Sequence, residues 1–323
     1  MDIKELQKII EEEIAKIDKN REPAELYEPI WYTLSNGGKR LRPALVLMGC
    51  HLFSEDVRKA ALPALGIEMF HNFTLLHDDI MDKAFLRRNQ PTVHAKWDIN
   101  RAILSGDALA IQSNVFISSC DKEVLPEVLR VFNSTALKVC EGQQYDLNFE
   151  LVESVTESEY LKMISLKTAV LLAGSLQIGA IIGGAAARAS QDVYDFGYNM
   201  GMAFQLQDDY LDTFGNPNVF GKKIGGDILA NKKTYLLIKA LESAGEPLRK
   251  ELLRWFSSDE HIQEEKISTV IGIFLELGID RLTREKVCEY SWKALDQLES
   301  LPVDLARKEA LRNFTLRLMD RVK

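Results

Sequence analysis

Cysteine and proline are both scarce in this sequence. Its 323 residues include nine prolines and four cysteines, and no two cysteines form a C-x-x-C pair. The cysteine spacing argues against a zinc site or a small disulfide scaffold, and it predicts a reducing, cytoplasmic location. Because apolar residues recur mostly at three- and four-residue spacings, the low proline content favours amphipathic helices over alternating strands.

The sequence also lacks a low-complexity linker and a recognisable secretory signal. Residues 1–20 carry charges throughout, and their apolar residues lie on one helical face, so we expect an amphipathic helix there. The hydrophobic content of 46% and the net charge of −8 are typical of a soluble globular protein with a sizeable core. We therefore predict one all-α domain over residues 1–323.

One long uncharged stretch needs weighing against the membrane. Residues 169–187 contain no charge and include Gly179-x-x-x-Gly183, a spacing that lets membrane helices pack closely. However, Ser175, Gln177 and four glycines lower its hydrophobicity, and it stands alone among amphipathic segments. We predict a buried core helix, starting near residue 166, and no transmembrane segment.

Two Asp-Asp-x-x-Asp runs lie on otherwise apolar, helix-forming ground. Residues 77–82 read HDDIMD and residues 207–212 read QDDYLD, within helices predicted at 68–82 and 191–212. On a helix the first and third aspartates of a run point the same way and the second lies on the flank. A solvated acidic face is the alternative, but like charges beside so many apolar neighbours call for a cation.

Oxygen ligands without a clustered His or Cys are typical of sites for hard cations. Mg²⁺ usually binds through one or two carboxylates together with substrate phosphates. The two acidic runs therefore predict a magnesium site that receives a phosphorylated substrate.

Three basic clusters near the acidic runs supply candidate phosphate donors. They read GGKRLRP (37–43), RRNQPTVH (87–94) and GKKIGGDILANKKT (221–234). The first follows a Gly-Gly turn whose backbone amides can approach an anion, and the other two follow the acidic runs. Each cluster alone could be an ordinary basic loop, but all three beside two carboxylate triads indicate a diphosphate site.

With these motifs in order, the sequence resembles the trans-type (head-to-tail) isoprenyl diphosphate synthases, which include farnesyl and geranylgeranyl diphosphate synthases. The matching stretches run from GGKRLRP through HNFTLLHDDIMD, LRRNQPTVH, GDALA, EGQQYDL, SLKTA and FQLQDDYLD to GKKIGGDILANKKT. From 240 to 323 only general helical character matches. The resemblance implies the type I isoprenoid synthase fold, a single antiparallel helical bundle around a deep central cavity with the acidic runs facing each other across its mouth, in a homodimer.

The resemblance also implies a Mg-dependent prenyltransferase. In that reaction an allylic diphosphate (dimethylallyl, geranyl or farnesyl) ionises, its cation alkylates the double bond of isopentenyl diphosphate, and a proton is lost. Magnesium, with three ions expected, and fixed positive charge stabilise the departing pyrophosphate. Released pyrophosphate is the expected proton acceptor, so no side chain is assigned as the general base.

Residue roles follow from the same resemblance. The metal ligands it implies, the last two directly or through water, are Asp78, Asp79, Asp82, Asp208, Asp209 and Asp212. The allylic diphosphate site it implies contains Arg87, Lys167, Thr168, Gln205, Lys222 and Lys232. The isopentenyl diphosphate pocket it implies contains Lys39, Arg42, His71 and Arg88. The residues expected to act in catalysis are Asp78, Asp79, Asp82, Arg87, Lys167, Asp208, Lys222 and Lys232.

Three further residues near these motifs carry weaker signals. His77 directly precedes the first run, and we interpret it as structural. Gln143 and Asp146 match a family signature, GQQYD, and could brace the cavity or hold a water there.

Product length should depend on the side chains just before the first acidic run. A hydrocarbon tail growing down the cavity would pass the residues one and two turns before Asp78, which are Thr74, Phe73 and Phe70. A small Thr74 beside a bulky Phe73 resembles members that stop at farnesyl or geranylgeranyl diphosphate. We therefore predict a short-chain all-trans prenyl diphosphate.

Two alternatives stay open from sequence. A class I terpene cyclase shares the fold and the first run, but its second metal motif is typically Asn/Asp-x-x-Ser/Thr-x-x-x-Glu rather than QDDYLD followed by a lysine loop. A non-catalytic subunit of a heteromeric prenyl synthase often loses an acidic motif or the basic residues, and this chain keeps both. The acidic balance and the lack of a basic stripe argue against a nucleic-acid partner.

Overall fold

The computed structural model describes residues 3–216, 224–257 and 262–320, and within them helices dominate. The helices are α1 (Ile3–Ala15), α2 (Ala24–Ser35), α3 (Leu41–Phe53), α4 (Ala61–Met81), α5 (Val93–Lys96), α6 (Ile99–Ile117), α7 (Leu125–Leu151), α8 (Glu157–Ile164), α9 (Val170–Gly183), α10 (Ala187–Phe214), α11 (Gly226–Leu229), α12 (Tyr235–Ser243), α13 (Glu246–Phe256), α14 (Gln263–Glu276), α15 (Ile279–Ser300) and α16 (Leu305–Asp320). The all-α prediction is confirmed.

Three short elements interrupt this pattern. A 3-10 turn (Arg58–Ala60) precedes α4, and a π-helical turn (Ser165–Ala169) joins α8 to α9 without a break. The strands β1 (Leu86–Arg87) and β2 (Gln90–Pro91) form an antiparallel hairpin, in which Leu86 pairs with Pro91 and Arg87 with Gln90. The hairpin and the π turn both carry predicted site residues.

The chain forms two compact units. Unit 1 comprises Met1–Ala136, Gly174–Tyr194 and Pro302–Ala310, and unit 2 comprises Leu137–Ala173, Asp195–Leu301 and Leu311–Lys323. The first acidic run belongs to unit 1 and the second to unit 2. A single domain over 1–323 stays a prediction.

The core of unit 1 forms along the apolar face of α4. Leu65, Met69 and Leu76 recur at helical spacing and are buried against residues of α2, α5 and α6. Each such side chain contributes about 1.5–3 kcal/mol when fully buried. This packing fixes the rotation of α4, and so decides where the acidic run at its C-terminal end points.

Small residues let α3 and α9 pack backbone against backbone in unit 1. A Cβ atom on Gly179 would lie 1.9 Å from the carbonyl oxygen of Val46, and one on Gly49 would lie 2.2 Å from that of Leu176. Among the described residues one helix, Glu157–Gly183, is long and apolar enough to cross a membrane, but 89% of its apolar window is buried within the protein. That burial confirms the predicted core helix.

Unit 2 has its own core, built from α11 to α15. Its centre is formed by buried side chains that include Leu236, Leu252, Trp255, Val270 and Phe274. In the same unit α8 begins with a capping box. The Thr156 hydroxyl accepts from the Glu159 backbone N–H, and the Glu159 carboxylate accepts from the Thr156 N–H at 2.9 Å. This cap fixes the start of the helix that leads into the π turn.

Candidate active site

The first acidic run ends α4 and is held by an arginine of the hairpin. Arg87 Nε donates to Asp79 Oδ1 at 2.7 Å, and Arg87 Nη2 lies 3.6 Å from Asp78 Oδ2. Burial raises the pKa of Asp79, which is 4% exposed, while the Arg87 charge opposes that shift. Asp82 caps the C-terminus of α4 and is exposed. One guanidinium therefore fixes two carboxylates of the run.

The turn of the hairpin explains how Arg87 reaches α4. Arg88 and Asn89 both have left-handed backbone angles, φ 54° and 60°, as the two central residues of a tight hairpin turn require. The Thr92 hydroxyl donates to the Ala84 carbonyl oxygen at 2.7 Å, and the Tyr32 hydroxyl donates to that of Pro91 at 2.7 Å. These bonds anchor both ends of the hairpin.

The Gly-Gly turn before α3 serves Arg88. The Arg88 guanidinium donates to the Gly37 carbonyl oxygen, and a Cβ atom on Gly38 would lie 2.7 Å from Arg88 Nη1. Gly38 has φ 139°, which also favours glycine. The turn thus places Arg88, a residue expected to bind isopentenyl diphosphate, beside the segment that carries Lys39.

Arg42 and His71, two more residues of that expected pocket, are in contact. Arg42 Nη1 lies 3.2 Å from His71 Nε2, and since a guanidinium can only donate, that nitrogen is the acceptor of a neutral imidazole. Burial lowers the pKa of His71 well below its ordinary value, and the charges of Arg42, Arg88, Arg87 and Arg40 lower it further. His71 is therefore uncharged at neutral pH.

Arg40 of the same cluster has a structural role instead. It is buried, and it makes ion pairs with Glu68 and Glu11, each at 2.7 Å. Its guanidinium also donates to the Leu34 carbonyl oxygen. Of the three basic residues in GGKRLRP, this one braces α1, α3 and α4.

An aromatic cluster lies one to two turns before the first run. The ring centroids of Phe70 and Phe73 are 5.5 Å apart, and Phe73 also meets His77 edge-on at 4.8 Å. The Thr74 hydroxyl donates to the His71 carbonyl oxygen at 2.8 Å, so it is tied to its own helix. His77 Nε2 lies 3.2 Å from the Ile103 carbonyl oxygen of α6, which fits its structural interpretation.

The second acidic run lies on α10 and divides between two helix faces. Asp208 is exposed and Asp212 is partly exposed, whereas Asp209 is buried at 5% exposure. Both oxygens of Asp209 accept hydrogen bonds: Oδ1 from Gln205 Nε2 at 2.9 Å, and Oδ2 from the Tyr160 hydroxyl. Gln205 in turn accepts from the Thr168 hydroxyl at 2.8 Å.

Burial dominates the electrostatics of this run. Burial, together with the charge of Asp227 and against the hydrogen bonds from Tyr160 and Gln205, raises the pKa of Asp209 to about 8. Burial also raises the pKa of Asp227 to about 6, followed by the charge of Asp212. Ionisation of Asp209 and of the neighbouring Asp227 is therefore costly without a cation nearby.

The π turn positions Lys167. Lys167 Nζ lies 2.6 Å from Asp146 Oδ2 on α7. This approach needs Gly142 of GQQYD, because a Cβ atom there would lie 2.2 Å from the Lys167 backbone nitrogen. The signature GQQYD thus has two functions: its glycine makes room for the π turn, and its aspartate orients the lysine.

Asp227 joins the second run although sequence reasoning did not select it. Its backbone N–H donates to Asp212 Oδ2 at 2.8 Å, and its carboxylate lies 4.0 Å from Lys232 Nζ. Gly226 lets α11 start against Asp212, since a Cβ atom there would lie 3.0 Å from Asp212 Oδ1. The sequence signal that could have indicated Asp227 is the Gly225-Gly226-Asp227 stretch that follows the two lysines. Lys222 lies outside the described residues.

The carboxylates described above fit magnesium bound together with a substrate, not a metal site built from protein ligands alone. In the described part of the chain, no group of three or more His, Cys, Asp or Glu side chains is arranged to hold a metal ion by itself. Mg²⁺ usually takes one or two carboxylates and completes its shell with water and substrate phosphate. Each unit offers carboxylates of this kind: Asp208 and Asp212, exposed and partly exposed, in unit 2, and the pair held by Arg87 on α4 in unit 1.

Within each unit the expected residues come together as local sets. Unit 1 joins Asp78, Asp79 and Arg87, and separately Arg42 with His71. Unit 2 joins Thr168, Gln205 and Asp209, and separately Lys167 with Asp146. The roles assigned to these residues from sequence stay predictions.

Comparison with known proteins shows the family. The sequence profile of polyprenyl synthetases matches residues 23–274. The chain is 37% identical to the geranylgeranyl pyrophosphate synthase of Geoglobus acetivorans, over 98% of this chain and 96% of that protein. It is 37% identical to the short chain isoprenyl diphosphate synthase of Methanothermobacter thermautotrophicus, over 88% of this chain and 87% of that one.

A solved structure agrees. A crystal structure of geranylgeranyl pyrophosphate synthase superposes with a TM-score of 0.94 at 45% identity, and the match covers 99% of each chain. The isoprenoid synthase fold expected from the motifs is thereby confirmed. The chain belongs to the polyprenyl synthetase family and is a trans-prenyltransferase of the isoprenyl diphosphate synthase type.

Proposed function

We propose that this protein condenses isopentenyl diphosphate with an allylic diphosphate to make geranylgeranyl diphosphate. The relatives named for that product, at 37% and 45% identity over nearly the whole chain, support it. Phe73, with its ring against Phe70, also supports a short product, since a prenyl tail that grew along this face of α4 would meet that ring. We also propose a cytoplasmic location, as the cysteine spacing predicts.

The observation that carries this function is that the chain has both acidic runs and that Arg87 is paired with the first of them. Arg87 holds the first run, and Lys167 lies in the same unit as the second, in contact with Asp146. A substrate with two phosphates needs such a distribution, because negative charge grows on the leaving pyrophosphate as the allylic carbon–oxygen bond breaks.

The residues of the chain then have the following tasks. The metal ligands are Asp78, Asp79, Asp82 and Asp208, joined directly or through water by Asp209 and Asp212. The allylic diphosphate is bound by Arg87, Lys167, Lys222 and Lys232. Bound Mg²⁺, for which three ions are expected, supplies the Lewis acidity that neutralises the leaving group. Lys39, Arg42, Arg88 and neutral His71 hold isopentenyl diphosphate, and the departing pyrophosphate accepts the proton.

Incubation of the purified protein with isopentenyl diphosphate and each allylic starter tests this function. Dimethylallyl, geranyl and farnesyl diphosphate are compared, with Mg²⁺ or with EDTA, and the products are dephosphorylated and sized by chromatography. We expect geranylgeraniol from each starter only when both Mg²⁺ and isopentenyl diphosphate are present. Products of another length would overturn the product assignment and leave the condensation intact.

The same assay decides between the alternatives. Hydrocarbon released from farnesyl diphosphate alone would identify a terpene cyclase. If the purified chain turned over none of these substrates with Mg²⁺, the result would contradict the catalytic assignment and favour the role of a subunit in a heteromeric synthase. Retention of both acidic runs and of Arg87 and Lys167 favours a catalytic chain.

We also propose a homodimer, with α6 at the contact. Leu104, Ile111 and Val115 lie on one face of this helix and are 58%, 67% and 61% exposed. Three large apolar side chains in line on one helix are more than the scattered exposed residues of an ordinary surface. A second copy of the chain would cover them through a symmetric contact.

Mass measurement in solution tests the homodimer. Light scattering after size exclusion should give twice the chain mass of 36.6 kDa for the wild-type protein. The double variant I111E/V115E should shift toward the monomer, while L305E, at an equally exposed leucine of α16, should not. A wild-type monomer would refute the proposal.

A further inference from the structure

Tyr160 of α8 makes a buried contact with the second acidic run. Its hydroxyl donates to Asp209 Oδ2, and both side chains are nearly inaccessible, at 3% and 5% exposure. Nothing in the motif pattern selects Tyr160, which lies seven residues before Lys167. A buried carboxylate needs donors to offset its lost hydration, and Tyr160 provides one of the two hydrogen bonds that Asp209 accepts from the described residues.

The contact belongs to a chain of hydrogen bonds that ties α10 to its neighbours. Thr168 on the π turn donates to Gln205 at 2.8 Å, and Gln205 donates to Asp209 Oδ1 at 2.9 Å. Tyr160 closes the chain from α8. Gln205 and Asp209 are four residues apart, so the linked side chains occupy one face of α10.

The other carboxylates of the run point elsewhere. Asp208 and Asp212 are also four residues apart, and both are at least partly exposed. Asp209 has both oxygens engaged by protein donors and is buried, whereas Asp208 is exposed and Asp212, one oxygen of which accepts from the Asp227 N–H, is partly exposed. The run therefore divides into a holding residue and presenting residues.

We propose that Tyr160 is a positioning residue of the second acidic run. By holding Asp209, it sets the rotation of α10 against α8, and so the direction in which Asp208 and Asp212 are presented to the metal and the diphosphate. This inference rests on the proposed function. It names Tyr160 as the residue that keeps the second acidic run correctly oriented for metal binding. Partners that orient metal ligands in this way typically change metal affinity about 10- to 100-fold when removed.

The test replaces Tyr160 with Phe, which keeps the ring and removes the hydroxyl. Y235F is the matched control, since Tyr235 is also a buried tyrosine of unit 2 and its charged neighbours are Glu157, Lys286, Lys239 and Glu242, none of them in an acidic run. Titration calorimetry measures binding of pyrophosphate at several Mg²⁺ concentrations. The Mg²⁺ concentration for half-maximal turnover is measured in parallel.

We expect Y160F to need about tenfold more Mg²⁺ in both measurements, with the KM for isopentenyl diphosphate unchanged. Y235F should match the wild type. An unchanged Mg²⁺ requirement in folded Y160F, or an equal shift in Y235F, would overturn the proposal. Because the calorimetry requires no turnover, a wild type that binds Mg²⁺ and pyrophosphate without making prenyl product would refute the proposed function alone.

A double-mutant cycle tests whether Tyr160 acts through Asp209 rather than through a general folding defect. D209N keeps the shape of the side chain but removes the carboxylate that Tyr160 contacts. If Tyr160 acts through Asp209, Y160F should add little to the Mg²⁺ requirement of D209N, because the two residues are coupled. Additive effects in the double variant would show that Tyr160 acts by another route, and would overturn the proposal.

Discussion

Arg87 Nε donates to Asp79 Oδ1 at 2.7 Å while Arg87 Nη2 lies 3.6 Å from Asp78 Oδ2. The two contacts use different nitrogens of one planar group, so they fix the angle of the guanidinium as well as its distance. A lysine ammonium is a single point charge and cannot reproduce both.

The first prediction concerns R87K, which keeps the charge and loses this geometry. We expect turnover to fall about 10- to 100-fold, the range seen when a residue that orients metal ligands is changed. R58K is the control, because Arg58 forms an exposed pair with Glu12 at 3.0 Å, and such pairs contribute little. Steady-state kinetics with varied Mg²⁺ measure both variants, and equal turnover for R87K and the wild type would contradict the assigned role.

The second prediction concerns the glycine under the π turn. In G142A the new Cβ would lie 2.2 Å from the Lys167 backbone nitrogen, so the turn must move although alanine suits a helix better than glycine. We expect a loss of about 1–3 kcal/mol in the free energy of unfolding, with reduced turnover because Lys167 shifts. G272A, in the interior of α14 with open space around it, should instead gain up to about 1 kcal/mol.

Denaturant unfolding followed by circular dichroism measures both glycine variants. If G142A proved as stable and as active as G272A, then the close packing of α7 on the π turn would not be what positions Lys167. Reduced stability with full turnover would separate packing from function.

How far the sequence anticipates this structure depends on whether the signal is local. Both acidic runs were predicted on helices and lie on α4 and α10, because apolar periodicity is a local property. The start of α4 at Ala61 was missed by seven residues, since Pro63 suggests a break although proline is tolerated in the first helical turn. A π turn leaves no residue pattern, so the continuity of α8 and α9 through it was not foreseen.

Contacts between residues that are far apart in the sequence could not be predicted from motifs. Arg40 was grouped with the phosphate-binding basics, but it is buried in an ion pair with Glu68, twenty-eight residues away. Tyr160 and Asp227 were not selected, because their importance comes from meeting Asp209 and Asp212 in space. A motif thus identifies a charged residue as a candidate for substrate or metal binding. Its contacts in the folded protein show whether it stabilises the core or belongs to the site.

The third prediction concerns stability and pH. The pKa of His71 is lowered in the folded protein from the ordinary value of 6.5, so the unfolded chain binds a proton that the folded chain does not. The folded state should therefore lose stability as the pH falls below about 6.5, by up to about 1.4 kcal/mol per pH unit from this group. Above that pH the contribution is constant.

H71Q removes that proton linkage and keeps an acceptor for Arg42. Between pH 7.5 and 5.5 the variant should lose less free energy of unfolding than the wild type. H77Q, an imidazole replacement on the same helix, shows whether any loss of a histidine has this effect. The free energy of unfolding is measured in urea at each pH. If it fell equally with pH in the wild type and in H71Q, His71 would be protonated in the folded protein, against the acceptor role assigned to its Nε2.

The fourth prediction concerns product length. Phe73 is only partly buried, its ring meets Phe70 at 5.5 Å, and it lies five residues before Asp78 on α4. If the prenyl tail grows along this face of the helix, the Phe73 ring limits its length by occupying space. F73A should therefore shift the product by at least one isoprene unit toward longer chains. Because the variant also removes buried apolar surface, we expect a loss of about 1–3 kcal/mol in stability.

F85A is the control for F73A, since Phe85 follows the same acidic run but is 78% exposed. Chromatography of dephosphorylated products, at protein concentrations adjusted for equal turnover, compares the two variants with the wild type. An unchanged product in an F73A protein that is folded and active would place the limit on chain length elsewhere. Lengthening in F85A as well would show that slower turnover, rather than space along α4, decides where elongation stops.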